Sequence, residues 1–237
     1  MNSSTWLNLE TEAIAVSRTT EARARSLCAL IQDAISTLAD GFLIPEIVRS
    51  DALDAQMGLF SQNLNSLKCS ADLAFRGYYT QAVGLIRGVY ENWIAFHYLQ
   101  QFPEKAELWL RTDKRPPKHS VMLDELGPNF TESKDNAREW YGVLCRMAHS
   151  DALVVLPHLS SHNGQPCAFF GAQYKEELFQ TCCYTILSFS AIMIREVAQM
   201  IPSASKWHES GSKVFAEILE FIKQSNANFK TAGNGQQ

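Results

Sequence analysis

Seven apolar residues, Leu53, Met57, Phe60, Leu64, Leu67, Ala71 and Ala74, advance along the chain by four and three positions alternately. An α-helix returns side chains to one face at that spacing, so this stretch predicts a helix packed lengthwise against a neighbour. Residues 79–101 follow with Val83, Leu85, Ile86, Val89, Trp93, Ile94, Phe96 and Leu99, apolar on nearly every side. A helix of that kind belongs in the middle of a fold.

The rest of the chain extends the same pattern. Leu27, Leu30, Ile31, Ala34, Ile35 and Leu38 keep the helical period and predict a first helix over about 5–39, closed by Gly41 and Pro45. Pro103 opens a short helix to Arg111, and further helices are expected over about 132–148, 173–201 and 205–225. Residues 152–159 and 167–170, with Ser161, His162, Asn163 and Gly164 between them, read instead as a small hairpin-like excursion near 152–171. Twelve glycines and eight prolines in 237 residues are too few to turn a β-sandwich or barrel. The expectation is an all-α chain: an up-and-down bundle of six or seven helices in a single domain, 1–237. Within it, 1–50 supplies an N-terminal helix and linker, 51–201 the core, and 202–237 a C-terminal helix and polar tail.

Compartment and partners are bounded by composition. Cys28, Cys69, Cys145, Cys167, Cys182 and Cys183 are scattered, several within apolar helical stretches, and imply no disulfide framework. The first twenty residues hold Glu10 and Glu12 and no run of signal-peptide length, so the cytoplasm is expected. Leu178–Ile194 is uncharged but interrupted by Gln180, Thr181, Thr185, Ser188 and Ser190, which favours a buried core helix over a membrane span. With 21 Lys and Arg against 25 Asp and Glu, binding of nucleic acid by bulk charge is excluded and local patches are left.

Chemistry concentrates in few places. Arg87 and Glu91 stand four residues apart on an otherwise apolar helix, where charges persist only if paired or if they share a polar pocket. Gly84 and Gly88, at the same spacing, predict a close helix crossing. Arg146 and His149 end a helix, whose C-terminus favours cations, and His149 is a candidate acid or base. Arg111, Lys114, Arg115, Lys118 and His119 form a basic loop around Pro116 and Pro117 that suits phosphate, with Trp109 nearby for stacking. Tyr90, Trp93 and His97 line an aromatic centre suited to a small ligand. Consecutive His149, Ser150 and Asp151 cannot assemble a hydrolase triad, since neighbouring helical side chains diverge. No His-Glu-x-x-His, Glu-x-x-His, Gly-x-Gly-x-x-Gly or Walker pattern occurs, and no metal or cofactor is expected.

The stretch Ala82, Val83, Gly84, Leu85, Ile86, Arg87, Gly88, Val89, Tyr90, Glu91, followed about sixty residues later by a helix ending Ala148, His149, Ser150, resembles uncharacterised bacterial helical proteins similar to the HEPN superfamily. The similarity covers about residues 55–200. It implies an all-α bundle that forms homodimers. In active members it implies a metal-independent endoribonuclease whose Arg and His, four to six residues apart, meet across the dimer, commonly in toxin–antitoxin or defence systems. In this chain Leu144 stands five residues before His149 and Arg146 three, so Arg146 or Arg87 would supply the cation. The expected function is RNA or nucleotide engagement, with an antitoxin-like protein as a further partner. The alternative is a non-enzymatic dimerisation module in which Arg87 and Glu91 lock the bundle.

Overall fold

A computed structural model describes residues 3–42, 49–127, 134–148, 159–162, 165–168, 172–202 and 205–234. Among them the chain is an all-α helical bundle of nine helices with one small hairpin. The helices are α1 (Ser3–Arg23), α2 (Arg25–Phe42), α3 (Asp51–Phe75), α4 (Tyr79–Gln101), α5 (Glu107–Leu110), α6 (His119–Leu126), α7 (Lys134–Ala148), α8 (Glu176–Met200) and α9 (Trp207–Asn234). The hairpin pairs β1 (Leu159–His162) antiparallel with β2 (Gln165–Ala168), Leu159 opposite Ala168, inside the excursion that the sequence predicts. The single helix expected over 5–39 is divided at Ala24. There the helical ladder persists, Ala24 N–H donating to Thr20 O and Cys28 N–H to Ala24 O at 2.9 Å each, so the division is a bend. Helix α6, which the paired prolines disguise as loop, begins directly after Pro116, Pro117 and Lys118.

The chain divides into two compact units. The first comprises Met1–Pro45, Lys68–Ala82 and Phe169–Gln237. Within it α2, α8 and α9 pack on one another, and Ile31, Leu38, Phe179, Ile186, Leu187 and Ile218 are almost wholly buried. Each such side chain stabilises by about 1.5–3 kcal/mol relative to exposure. Helix α8 is the stretch weighed above as a membrane span. It has the length and composition to cross a bilayer, but 61% of its most apolar window is buried inside the protein, as in a core helix. Its polar interruptions are satisfied locally: Thr185 Oγ1 donates to Thr181 O and Ser190 Oγ to Ile186 O, both at 2.9 Å. Trp207 anchors α9, its indole Nε1 donating to Thr37 O at 2.7 Å. Gly41 leaves the room this requires, since a Cβ there would lie 2.7 Å from Val197 Cγ1 and 2.8 Å from Trp207 Nε1. Gly77, at φ +83°, turns the chain between α3 and α4 where a Cβ would stand 2.5 Å from Gln173 O.

The second unit comprises Glu46–Leu67 and Val83–Ala168. Its core is Leu67, Ile86, Val89, Tyr90, Ile94, Tyr98, Leu99, Leu123 and Leu144. The apolar seam of α3 is accompanied by polar residues at heptad spacing. Buried Gln56 and Asn63 donate to the backbone carbonyls of Phe96 and Val89 at 3.2 and 3.1 Å, and in the first unit Ser70 donates to Ala82 O at 2.7 Å. Moving seven residues forward on α3 moves seven back on α4, which sets the antiparallel register of the two helices. Among the described residues no helix of the same chain makes the predicted crossing at Gly84 and Gly88: a Cβ at either meets nothing within 4 Å, and that face of α4 is only half-covered.

Candidate functional site

The second unit holds a cavity of about 560 Å³, a volume ordinary for small-ligand sites. Helix α4 lines it with Glu91, Asn92 and Ala95, α5 with Trp109, α6 with His119, Met122 and Leu123, and α7 with Arg138 and Tyr141; Pro116, Pro117 and Lys118 close one side. The two prolines hold the backbone extended up to Lys118, φ −63° and ψ 149°, and so fix where α6 starts and where His119 points.

Arg87 and Glu91 do pair, as their spacing predicts, with Arg87 Nε donating to Glu91 Oε1 at 2.9 Å. They are less enclosed than an apolar helix suggests, with side chains 27% and 36% exposed. The pair is joined by a residue from α7. Tyr141 Oη donates to the same Glu91 oxygen at 3.0 Å and accepts from Arg87 Nη2 at 3.2 Å. The guanidinium carbon also stands 5.5 Å from the Tyr141 ring centroid. Burial alone would weaken the proton affinity of Arg87, but hydrogen bonds to Glu91 and Tyr141 outweigh it and its pKa is raised. Burial and the Glu91 carboxylate push the Tyr141 phenol up to about 12, so it serves as a donor and not as a base.

The imidazole beside this pair is His119. Its ring stacks on Tyr141 at 4.1 Å between centroids and 18° between planes, with Tyr90 5.6 Å away. Burial drives the pKa of His119 below its ordinary 6.5; Glu91 opposes that shift and Arg87 adds to it. The ring is therefore neutral at pH 7. Its Nε2 is buried and has no hydrogen-bond partner among the described residues. A neutral imidazole on the cavity wall has the protonation state needed for acid–base work or ligand binding near neutrality.

The other predicted site residues fall in different places. His149 lies outside the described residues. Arg146 is exposed on the last turn of α7 and does not line the cavity; nor does Arg87, which stands behind Glu91 and Tyr141. The basic loop is largely neutralised: Arg111 grips Asp113 at 3.1 and 3.0 Å, and Lys114 meets Glu107 at 2.6 Å. Arg115 is exposed, and of that loop Lys118 and His119 stand on the cavity wall. A second cation there, Arg138, also bonds Asp124 at 3.2 Å. Of the aromatic centre, Tyr90 and Trp93 are buried with rings 5.8 Å apart, and Tyr90 joins the His119–Tyr141 group. Among the described residues no three His, Cys, Asp or Glu side chains converge as metal ligands.

Asn92, Arg138 and Tyr141 do not stand out as site residues in the sequence, whereas His119 does so only as the last member of the basic loop. Tyr141 belongs to an apolar face of α7 and carries no local signal, and nothing local to His119 points to its stack on Tyr141. No family model, curated protein or solved structure matches the chain, and the reading of the site rests on its own geometry.

Proposed function

We propose that the second unit engages cytoplasmic RNA or free ribonucleotides at this cavity. The observation that carries the reading is the meeting of stacking surfaces, Trp109 and the His119–Tyr141 pair, with Lys118 and with Arg138, whose charge Asp124 partly offsets, around one space of nucleotide size. Unpaired bases are held on aromatic faces and their phosphates on Lys and Arg, which is how single-stranded RNA is recognised. In the enzymatic, HEPN-like form of this function, His119 takes the acid–base role expected of His149. Lys118 and Arg138 then face the phosphate, and Arg87 acts at one remove by positioning Glu91 and Tyr141. Self-association fits the open space at Gly84 and Gly88 and the exposed apolar side chains of Leu85, Trp140 and Val143.

The test is binding and cleavage of single-stranded RNA in EDTA by the full chain, beside His119→Gln and a Lys118→Ala, Arg138→Ala double variant. Binding should weaken about tenfold or more in the double variant, and the slope of affinity against salt should fall by about 1 for each cation taken away from a phosphate. Any cleavage should disappear in His119→Gln. Absence of binding to RNA and to mononucleotides by the unaltered chain refutes the reading.

One observation favours a second reading. Arg87, Glu91 and Tyr141 satisfy one another across α4 and α7, as a purely structural lock in a non-enzymatic module would. Under that reading Glu91→Gln loses stability while leaving RNA binding unchanged.

A further inference from the structure

The hydrogen-bonding pattern on the cavity wall distinguishes between bases. Val89 O is a backbone carbonyl and can only accept, so Asn63, which bonds it at 3.1 Å, must present its amide Nδ2 there. The Asn63 carbonyl oxygen is then turned to Asn92, which must in turn donate its own Nδ2, at 2.9 Å. That leaves Oδ1 as the remaining acceptor of Asn92, a residue of the cavity wall. The buried relay thus fixes an amide orientation that a lone exposed asparagine would leave free.

Glu91 is constrained in a similar way. Oε1 receives both Arg87 Nε and Tyr141 Oη, while Oε2 accepts no hydrogen bond among the described residues. Glu91 and Asn92, consecutive on α4, both line the cavity, and each keeps one acceptor, Oε2 and Oδ1, outside the hydrogen bonds described above. The carboxylate is already neutralised by Arg87, so a ligand need bring no positive charge to meet it; it needs two neighbouring N–H donors.

Resting on the nucleotide reading above, we infer that the site selects guanine. Of the four RNA bases only guanine carries two adjacent donors on its pairing edge, the ring N1–H and the 2-amino group. Adenine and cytosine place an acceptor beside their amino group, and uracil flanks its single N–H with two carbonyls. Each would set an acceptor against Glu91 or Asn92, and an unmatched buried acceptor costs more than a missing hydrogen bond. The guanine plane lies against the aromatic wall, and its phosphate reaches toward Lys118 and Arg138.

Calorimetric titration of the full chain with GMP, IMP, AMP and UMP tests this, since IMP keeps N1–H and lacks the 2-amino group. GMP is expected to bind about tenfold or more tightly than AMP and UMP, the discrimination of one bidentate pair, with IMP between. Glu91→Gln should bring GMP and AMP to within about threefold of each other. Because that variant also touches the Arg87 network, the series on the unaltered chain decides the matter by itself. Equal affinity for GMP, IMP and AMP overturns guanine selection and leaves nucleotide binding standing; no binding of any of the four overturns guanine selection, and no binding of single-stranded RNA besides overturns both.

Discussion

Replacing Tyr141 by Phe removes one oxygen atom and nothing else, which makes it the cleanest probe of the network joining α4 to α7. The hydroxyl makes two hydrogen bonds to ionised partners, at 3.0 Å to Glu91 and 3.2 Å from Arg87. Such bonds contribute about 1.5–3 kcal/mol each when buried. Here the sum must be discounted. Arg87 and Glu91 keep their own 2.9 Å bond, and at 27% and 36% exposure water reaches both after the oxygen is gone. The loss should be about 1–2 kcal/mol, or about 2–8 °C in Tm for a chain of this size. The ring itself stays, so the 4.1 Å stack with His119 is retained and the variant should fold. Urea unfolding of Tyr141→Phe, Glu91→Gln and the double variant should give a coupling of about 0.5–2 kcal/mol between the two positions. A change below about 0.3 kcal/mol, or strict additivity, would mean the hydroxyl is not part of the lock and that the argument from these distances is wrong.

Gly77→Ala should cost upwards of about 2 kcal/mol, because φ is +83° and the new carbon meets the backbone of Gln173, which cannot move aside as a side chain does. Gly84→Ala and Gly88→Ala should instead stabilise an isolated chain by about 0.5–1 kcal/mol each, measured by thermal melts; a loss accompanied by dissociation in sedimentation would show a second copy packed on that face. Because His119 has a pKa below 6.5 in the folded protein, its contribution to stability is complete above about pH 6.5 and falls as pH drops from there toward the folded value. Unfolding at pH 8 and 5.5 should therefore show a smaller pH effect in His119→Phe than in the unaltered chain, and an identical effect would contradict the shift. Exposed Cys69 should react with a thiol reagent in the native state, whereas buried Cys28 and Cys182, with pKa pushed up to about 11 and about 12, and Cys183, also pushed up by burial, should react only on unfolding.

The helical architecture was legible because it rests on periodicity. The seam from Leu53 to Ala74 and the apolar α4 are written in residue spacing, and the boundaries Tyr79–Gln101 emerge as expected. Helix α6 escaped because Pro116 and Pro117 signal a break, and the same prolines that end one segment pre-set the backbone for the next helix. The site was half legible. Arg87 and Glu91 are an i, i+4 pair, a local signal; Tyr141 and His119 lie 50 and 28 positions beyond Glu91, and only packing brings them together. In the basic loop Asp113 and Glu107 pair with Arg111 and Lys114 within a few residues, which residue type alone does not announce, while Lys118 and His119 reach the cavity wall. Gln56 and Asn63 look like ordinary polar positions on a helix until their carbonyl partners on α4 are known.

The central claim is that His119, held on Tyr141 beside Glu91, occupies the wall of a nucleotide site, and nuclear magnetic resonance of its ring addresses this directly. The account predicts that the His119 imidazole titrates below 6.5 in the free protein and that its resonances move when GMP is added at pH 7. An imidazole that titrates at the ordinary value and does not respond to GMP, IMP, AMP or UMP would contradict it.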